Sequence, residues 1–129
     1  MKLASLKHGR DGHLVIVSRD LSRAVDAEVV PTLQAALDDW ETIAPLLQEK
    51  YDRLNAGKGD YFTFVPEVCA APIPRGYQWL DGSAYLNHVE LVRKARGAEV
   101  PESFYSDPLM YQGASDTFIG PMDPIIALS

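Results

Sequence analysis

Pro31-Thr32-Leu33-Gln34-Ala35-Ala36-Leu37-Asp38-Asp39-Trp40-Glu41-Thr42-Ile43-Ala44-Pro45-Leu46-Leu47 is where the chain changes character. Before it, apolar residues come in short runs broken by turn residues. From it onward, Leu33, Ala36, Leu37, Trp40, Ile43, Ala44, Leu47, Tyr51 and Leu54 recur at the helical period, with Asp38, Asp39, Glu41, Gln48, Glu49, Asp52 and Arg53 mostly opposite them. This predicts an amphipathic helix that Thr32 caps and Gly57 ends in a left-handed turn. Pro45 removes one internal hydrogen bond and should kink the helix or split it.

Working outward toward the N-terminus, Met1 to Lys7, His13 to Ser18 and Leu21 to Val25 read as strands separated by Gly9-Arg10-Asp11-Gly12 and Arg19-Asp20. Such spacing suits successive antiparallel hairpins. His8 and His13 flank the first turn, where a histidine is ordinarily solvated loop.

Toward the C-terminus, Asn55 to Asp60 is a polar loop. Its Gly57-Lys58-Gly59 lacks the remaining glycines and the Lys-Ser/Thr ending of a phosphate loop. Tyr61 to Val65 alternates as a strand would. Pro66, Pro72 and Pro74 then hold Cys69-Ala70-Ala71 extended, a linker laid over a surface and the best internal boundary. Cys69 is the single cysteine, which excludes an internal disulfide and multi-cysteine zinc patterns, and it reads as a small buried hydrophobe. The fold expected is α+β: a small antiparallel β-meander with a Pro-kinked or split helix, an extended linker, a second helix and the first strands of a mixed-β domain. The expected division is residues 1–70 and 71–129.

The 129 residues suffice for one real core. A net charge of −6 with no Lys/Arg run argues against nucleic acid or an anionic membrane as partner. The N-terminal Met1-Lys2-Leu3 meets charge too early for a secretion signal, so a cytoplasmic location is expected.

The chemistry concentrates in Asp81-Gly82-Ser83-Ala84-Tyr85-Leu86-Asn87-His88, running on to Arg96-Gly97. Asp81 or Ser83 can cap a helix on which Tyr85, His88, Leu91, Val92 and Ala95 share the inward face. Seven residues of regular helix place Asp81 and His88 on one side, about 10 Å apart along the axis. They cannot chelate one metal together. They could stand at two ends of one pocket, a carboxylate on a cation and an imidazole on a water; equally, such an Asp is ordinarily a cap and such a His a packed core residue. His88-Val89-Glu90 lacks the cysteine pair of zinc deaminases, and Gly113-Ala114-Ser115-Asp116-Thr117 lacks the second glycine of a nucleophile elbow. Further on, Pro101 to Pro108 reads as a loop and Leu109 to Gly113 as a short extended piece. Ile125 to Ser129 begins an apolar strand, which suggests a fragment of a longer protein.

Asp81 to His88, followed by Arg96-Gly97 and by Pro108-Leu109-Met110-Tyr111-Gln112-Gly113, resembles the first half of the active site in the fumarylacetoacetate hydrolase family. There an Asp precedes a His by the same interval, with an Arg-Gly and a Tyr-x-Gly beyond. The preceding 70 or so residues look like the N-terminal domain of long bacterial members. The resemblance implies a metal-dependent hydrolase that cleaves a carbon–carbon bond in a β-dicarbonyl or 2-oxo acid, using magnesium or calcium. It implies Asp81 as a metal ligand, His88 as the general base, and Arg96 and Tyr111 as substrate-binding groups. Where the family has a tyrosine two residues after the Asp, this chain has Ser83, and Arg96 matches only after a one-residue shift. The family's Glu-x-Glu pair, its further Asp and the glutamate that orients the histidine would all come later than Ser129. The chain alone is therefore expected to be inactive and to hold no metal tightly, and the full-length protein to be a homodimer. The alternative is a free-standing interaction or structural domain of the same fold.

Overall fold

A computed structural model describes residues 1–107, 109–113 and 117–127, with the backbone but not the side chain of Ser83. Pro108, Ala114–Asp116 of the segment that lacks an elbow's second glycine, and Leu128–Ser129 lie outside the described residues. The chain is α+β and divides into two compact units, residues 1–76 with 116–129, and residues 77–115.

The first unit is built on a four-stranded antiparallel sheet in the order β1 (Lys2–Leu6), β2 (His13–Val17), β3 (Arg23–Asp26), β4 (Phe62–Thr63). β1 pairs with β2 from Lys2↔Val17 to Leu6↔His13, and β2 with β3 from Val15↔Asp26 to Val17↔Ala24. The meander is the one expected. β3 starts two residues late because Leu21 takes a left-handed φ of 62° in the turn; there Asp20 Oδ1 accepts from the Ser18 and Ser22 hydroxyls and the Ser22 amide.

β2 is the center of the core because both its faces are covered, which is why its sequence is an unbroken apolar run rather than an alternation. Leu14 and Ile16 join Ala27, Ala36, Leu47, Tyr51 and Leu54 on the helix side. Val15 and Val17 join Ala24 in a second cluster, against which Ala4, Leu6 and Phe64 pack.

The amphipathic stretch forms two helices, α1 (Leu33–Asp38) and α2 (Trp40–Asn55). Thr32 Oγ1 accepts from the Ala35 amide at 3.1 Å, so the cap is as expected. The break falls at Asp39 (φ −135°, ψ 49°), and Pro45 sits inside α2. Proline crowds and unbonds the carbonyl four residues earlier, here Glu41 in the first turn of α2, so restarting the helix at Asp39 confines the damage to that turn. One consequence corrects the apolar stripe: Leu37 and Trp40, beside the break, are exposed, and Ala36, Leu47, Tyr51 and Leu54 form the buried face. α2 ends in a Schellman turn on Gly57 (φ 69°), with the Gly57 amide donating to the Leu54 carbonyl and the Lys58 amide to the Arg53 carbonyl.

The proline-rich linker runs along the open edge of β1. The Lys7 amide donates to the Val68 carbonyl and the Ala70 amide to the Ser5 carbonyl, each at 2.8 Å, and Ser5 Oγ donates to the Pro72 carbonyl at 2.6 Å. An edge strand that would otherwise offer free backbone groups is thereby paired. Cys69 lies 4% exposed in this segment, and burial pushes its thiol pKa up.

The second unit holds β5 (Leu80–Ser83), α3 (Leu86–Ala95), a 3-10 turn at Glu102–Tyr105 and β6 (Leu109–Gln112). The strand expected at Ile125 does not form: Ile125 and Ile126 are exposed and in no strand of the described residues.

Candidate functional site

The four residues singled out by sequence all fall in the second unit. Asp81 was expected as a helix cap. It is instead the second residue of β5, and α3 starts five residues later with Tyr85 at the N-cap position. The partner strand β6 explains the difference. The register runs Leu80↔Gln112, Asp81↔Tyr111, Gly82↔Met110 and Ser83↔Leu109, so residues 80–83 are held by a pairing about thirty residues away in sequence. Directly opposed residues of an antiparallel pair share a face, with Cβ atoms roughly 4.5–5.5 Å apart. Asp81 and Tyr111 are thus neighbors on one side of the hairpin.

Two details fix that register. The Gly113 amide donates to the Trp79 carbonyl at 2.9 Å, extending the ladder by one bond. A Cβ at Gly113 would lie 2.0 Å from Trp79 Cε3, so the indole lies where any larger residue would place its side chain. Glycine after Gln112 is therefore a packing requirement, with no positive φ involved.

α3 closes much as α2 does. The Gly97 amide donates to the Lys94 carbonyl at 3.1 Å and the Ala98 amide to the Arg93 carbonyl at 2.9 Å, with Gly97 at φ 66°. Arg93 and Lys94 stand in the last turn, where cations suit the negative end of the helix dipole. The helix phase differs from expectation. Val89 is buried, Val92 and Arg93 are half-buried, and Tyr85, His88, Leu91 and Ala95 are exposed. His88 therefore does not point inward within this chain. With Asp81 in a strand, the 10 Å helical spacing between them no longer applies. Arg96 is exposed at the C-cap of α3. So the fold brings Asp81 and Tyr111 together, and leaves His88 and Arg96 at the start and end of one helix.

An isolated carboxylate does not suffice for magnesium or calcium, which take six or more oxygen ligands. Among the described residues no group of three or more His, Cys, Asp or Glu is placed to hold a metal ion. The described residues do not by themselves gather the oxygen ligands of a divalent cation.

Sequence reasoning passed over one polar pair. His13 Nε2 lies 2.5 Å from Asp26 Oδ2, and the His8 and His13 rings meet edge to face with centroids 6.2 Å apart. Burial raises the Asp26 carboxyl, but the His13 hydrogen bond, the Glu28 amide and Lys50 outweigh it and hold the pKa below the usual carboxylate value. Little in the sequence signals it: Asp26 is paired with Val15, and His13 reaches it from two residues beyond the β2–β3 pairing.

No helix of the described residues is long and apolar enough to cross a membrane. The sequence signature of the family described as fumarylacetoacetase N-terminal domain 2 matches residues 1–75, which is most of the first unit and stops short of Asp81. No curated protein matches the chain.

Proposed function

Because the chain belongs to the fumarylacetoacetase N-terminal domain family, we propose that it is the opening part of a metal-dependent hydrolase that cleaves a carbon–carbon bond in a β-dicarbonyl acid. In this proposal residues 1–70 are the N-terminal domain and residues 71–129 begin the catalytic domain. The observation that carries the reading is the cross-strand pairing of Asp81 with Tyr111. A carboxylate and a phenol on one face of a hairpin, both exposed, can bind a polar ligand together: the phenol donates to a ligand oxygen while the carboxylate supplies negative charge beside it. Tyr111 is 63% exposed, so its hydroxyl is open to such a ligand.

The roles assigned are those that the family resemblance implies. Asp81 would be one of several ligands to a magnesium or calcium ion acting as Lewis acid, Tyr111 and Arg96 would bind the acid substrate, and His88 would be the base that takes a proton from water. The reading needs further metal ligands beside Asp81, which the described residues do not group together, and on it the chain alone would be inactive. The site would work in the cytoplasm, within a homodimer.

The test is turnover of fumarylacetoacetate, followed by loss of its enol absorbance, in the product of the intact gene. Asp81→Asn should lower kcat/KM by about 100-fold or more, as loss of an electrostatic group at a reacting center does. Tyr111→Phe should lower it by about tenfold, one hydrogen bond's worth. His88→Ala should abolish turnover without moving the melting temperature, since His88 is exposed. Full activity of Asp81→Asn overturns the reading.

A second reading is a free-standing interaction or structural domain of the same fold, in keeping with a family signature that stops at residue 75, short of Asp81. The reading frame beyond Ser129 separates the two: a Glu-x-Glu followed by an Asp belongs to the hydrolase alone.

A further inference from the structure

The family signature ends at residue 75, yet the first unit does not. Residues 117–123 come back to it after the chain has built the second unit. The Phe118 amide donates to the Pro74 carbonyl at 3.0 Å. Gly120 is buried against the linker, and a Cβ built on it would stand 2.2 Å from the Cys69 carbonyl oxygen. Asp123 Oδ2 accepts from the Gly120 amide at 2.7 Å, while Asp123 Oδ1 pairs with Lys7 Nζ at 2.5 Å. The Lys7 ammonium and the Gly120 amide hold the Asp123 carboxyl below its usual pKa, as expected for a carboxylate that ties a turn to a cation.

The segment is pinned at these few points and is otherwise loosely seated. Ile119 and Met122 are exposed, so it buries little apolar surface of its own. A cavity of about 390 Å³ opens on one side of it, lined by Lys7, His8, Gly9 and Gly12, and one of about 300 Å³ on the other, lined by Leu3, Ala4, Phe64 and Cys69. Segments with few buried apolar contacts open at small cost compared with the core, and an exposed ion pair adds little.

We propose that residues 117–123 are a releasable strap that completes the N-terminal unit, latched by Gly120 on the Cys69 carbonyl and by the Lys7–Asp123 pair, and that its release bares the groove holding Cys69. The inference does not depend on the hydrolase reading. It makes the N-terminal unit discontinuous, closed by chain that follows the candidate site.

Cys69, the single cysteine, reports on the strap directly. The measurement is the rate of Cys69 labeling by a thiol-reactive disulfide reagent in the full chain at neutral pH. Gly120→Ala sets a methyl against a backbone oxygen that cannot turn aside, and should raise the rate about tenfold or more. Asp123→Asn and the milder Lys7→Gln should raise it several-fold. Leu47→Ala, a core substitution remote from the strap, calibrates labeling through global unfolding. The proposal stands if the strap variants label faster than Leu47→Ala at equal loss of melting temperature. It is overturned if they label at the wild-type rate, or if acceleration follows melting temperature alike in all four variants.

Discussion

His13 and Asp26 meet at 2.5 Å, half-exposed, at the end of the β2–β3 ladder. The carboxyl's pKa is lower folded than unfolded. A group shifted that way adds stability above its unfolded value, near pH 3.8, and loses it as pH falls through the folded value. Asp26→Asn should therefore lower stability at pH 7 by about 1 kcal/mol, the scale of one part-exposed hydrogen bond. The difference from wild type should shrink between melts at pH 7 and melts at strongly acid pH, below the folded pKa. An equal difference at both pH values would show that Asp26 acts through packing. This pair was not legible in the sequence, because a histidine after a Gly-containing turn looks solvated until β3 supplies its carboxylate. Asp81 misled for a similar reason. Locally, Asp-Gly-Ser before an apolar stretch reads as a helix cap, and only the distant Leu109–Gln112 makes it a strand.

At the level of elements, the two ends of the helical stretch from Thr32 to Gly57 were the most legible features because their chemistry is local, whereas the start of α3 was misplaced. Thr32 caps α1, and Gly57 and Gly97 end α2 and α3 with positive φ. Gly57→Ala should cost about 1–2 kcal/mol, the penalty for a Cβ in left-handed backbone. In a domain of this size, that is a fall of several degrees in melting temperature. Little change would mean that the Schellman turn is not what ends α2. Pairings and helix phase were less legible. Pro45 drew attention to a break that the chain places at Asp39, and the apolar residues all round α3 hid that Val89, not His88, is the buried one. Trp79 over Gly113 belongs to the same class, a packing contact between residues far apart in the chain.

For the whole molecule, family membership and candidate chemistry sit in different units. The signature covers residues 1–75 and the site residues lie between Asp81 and Tyr111. The first unit has its own two-sided core. The second leaves Tyr77, Tyr85, Leu91, Met110 and Tyr111 exposed. A hairpin of two short strands is also marginal without further packing. Under the proposed function, the chain supplies only part of a site. The claim is tested most directly by calorimetric titration of magnesium and of calcium into the 129-residue chain beside its Asp81→Asn variant. A half-site with one carboxylate predicts dissociation constants of about millimolar or weaker and no difference between the two proteins. Micromolar binding that Asp81→Asn removes would contradict it.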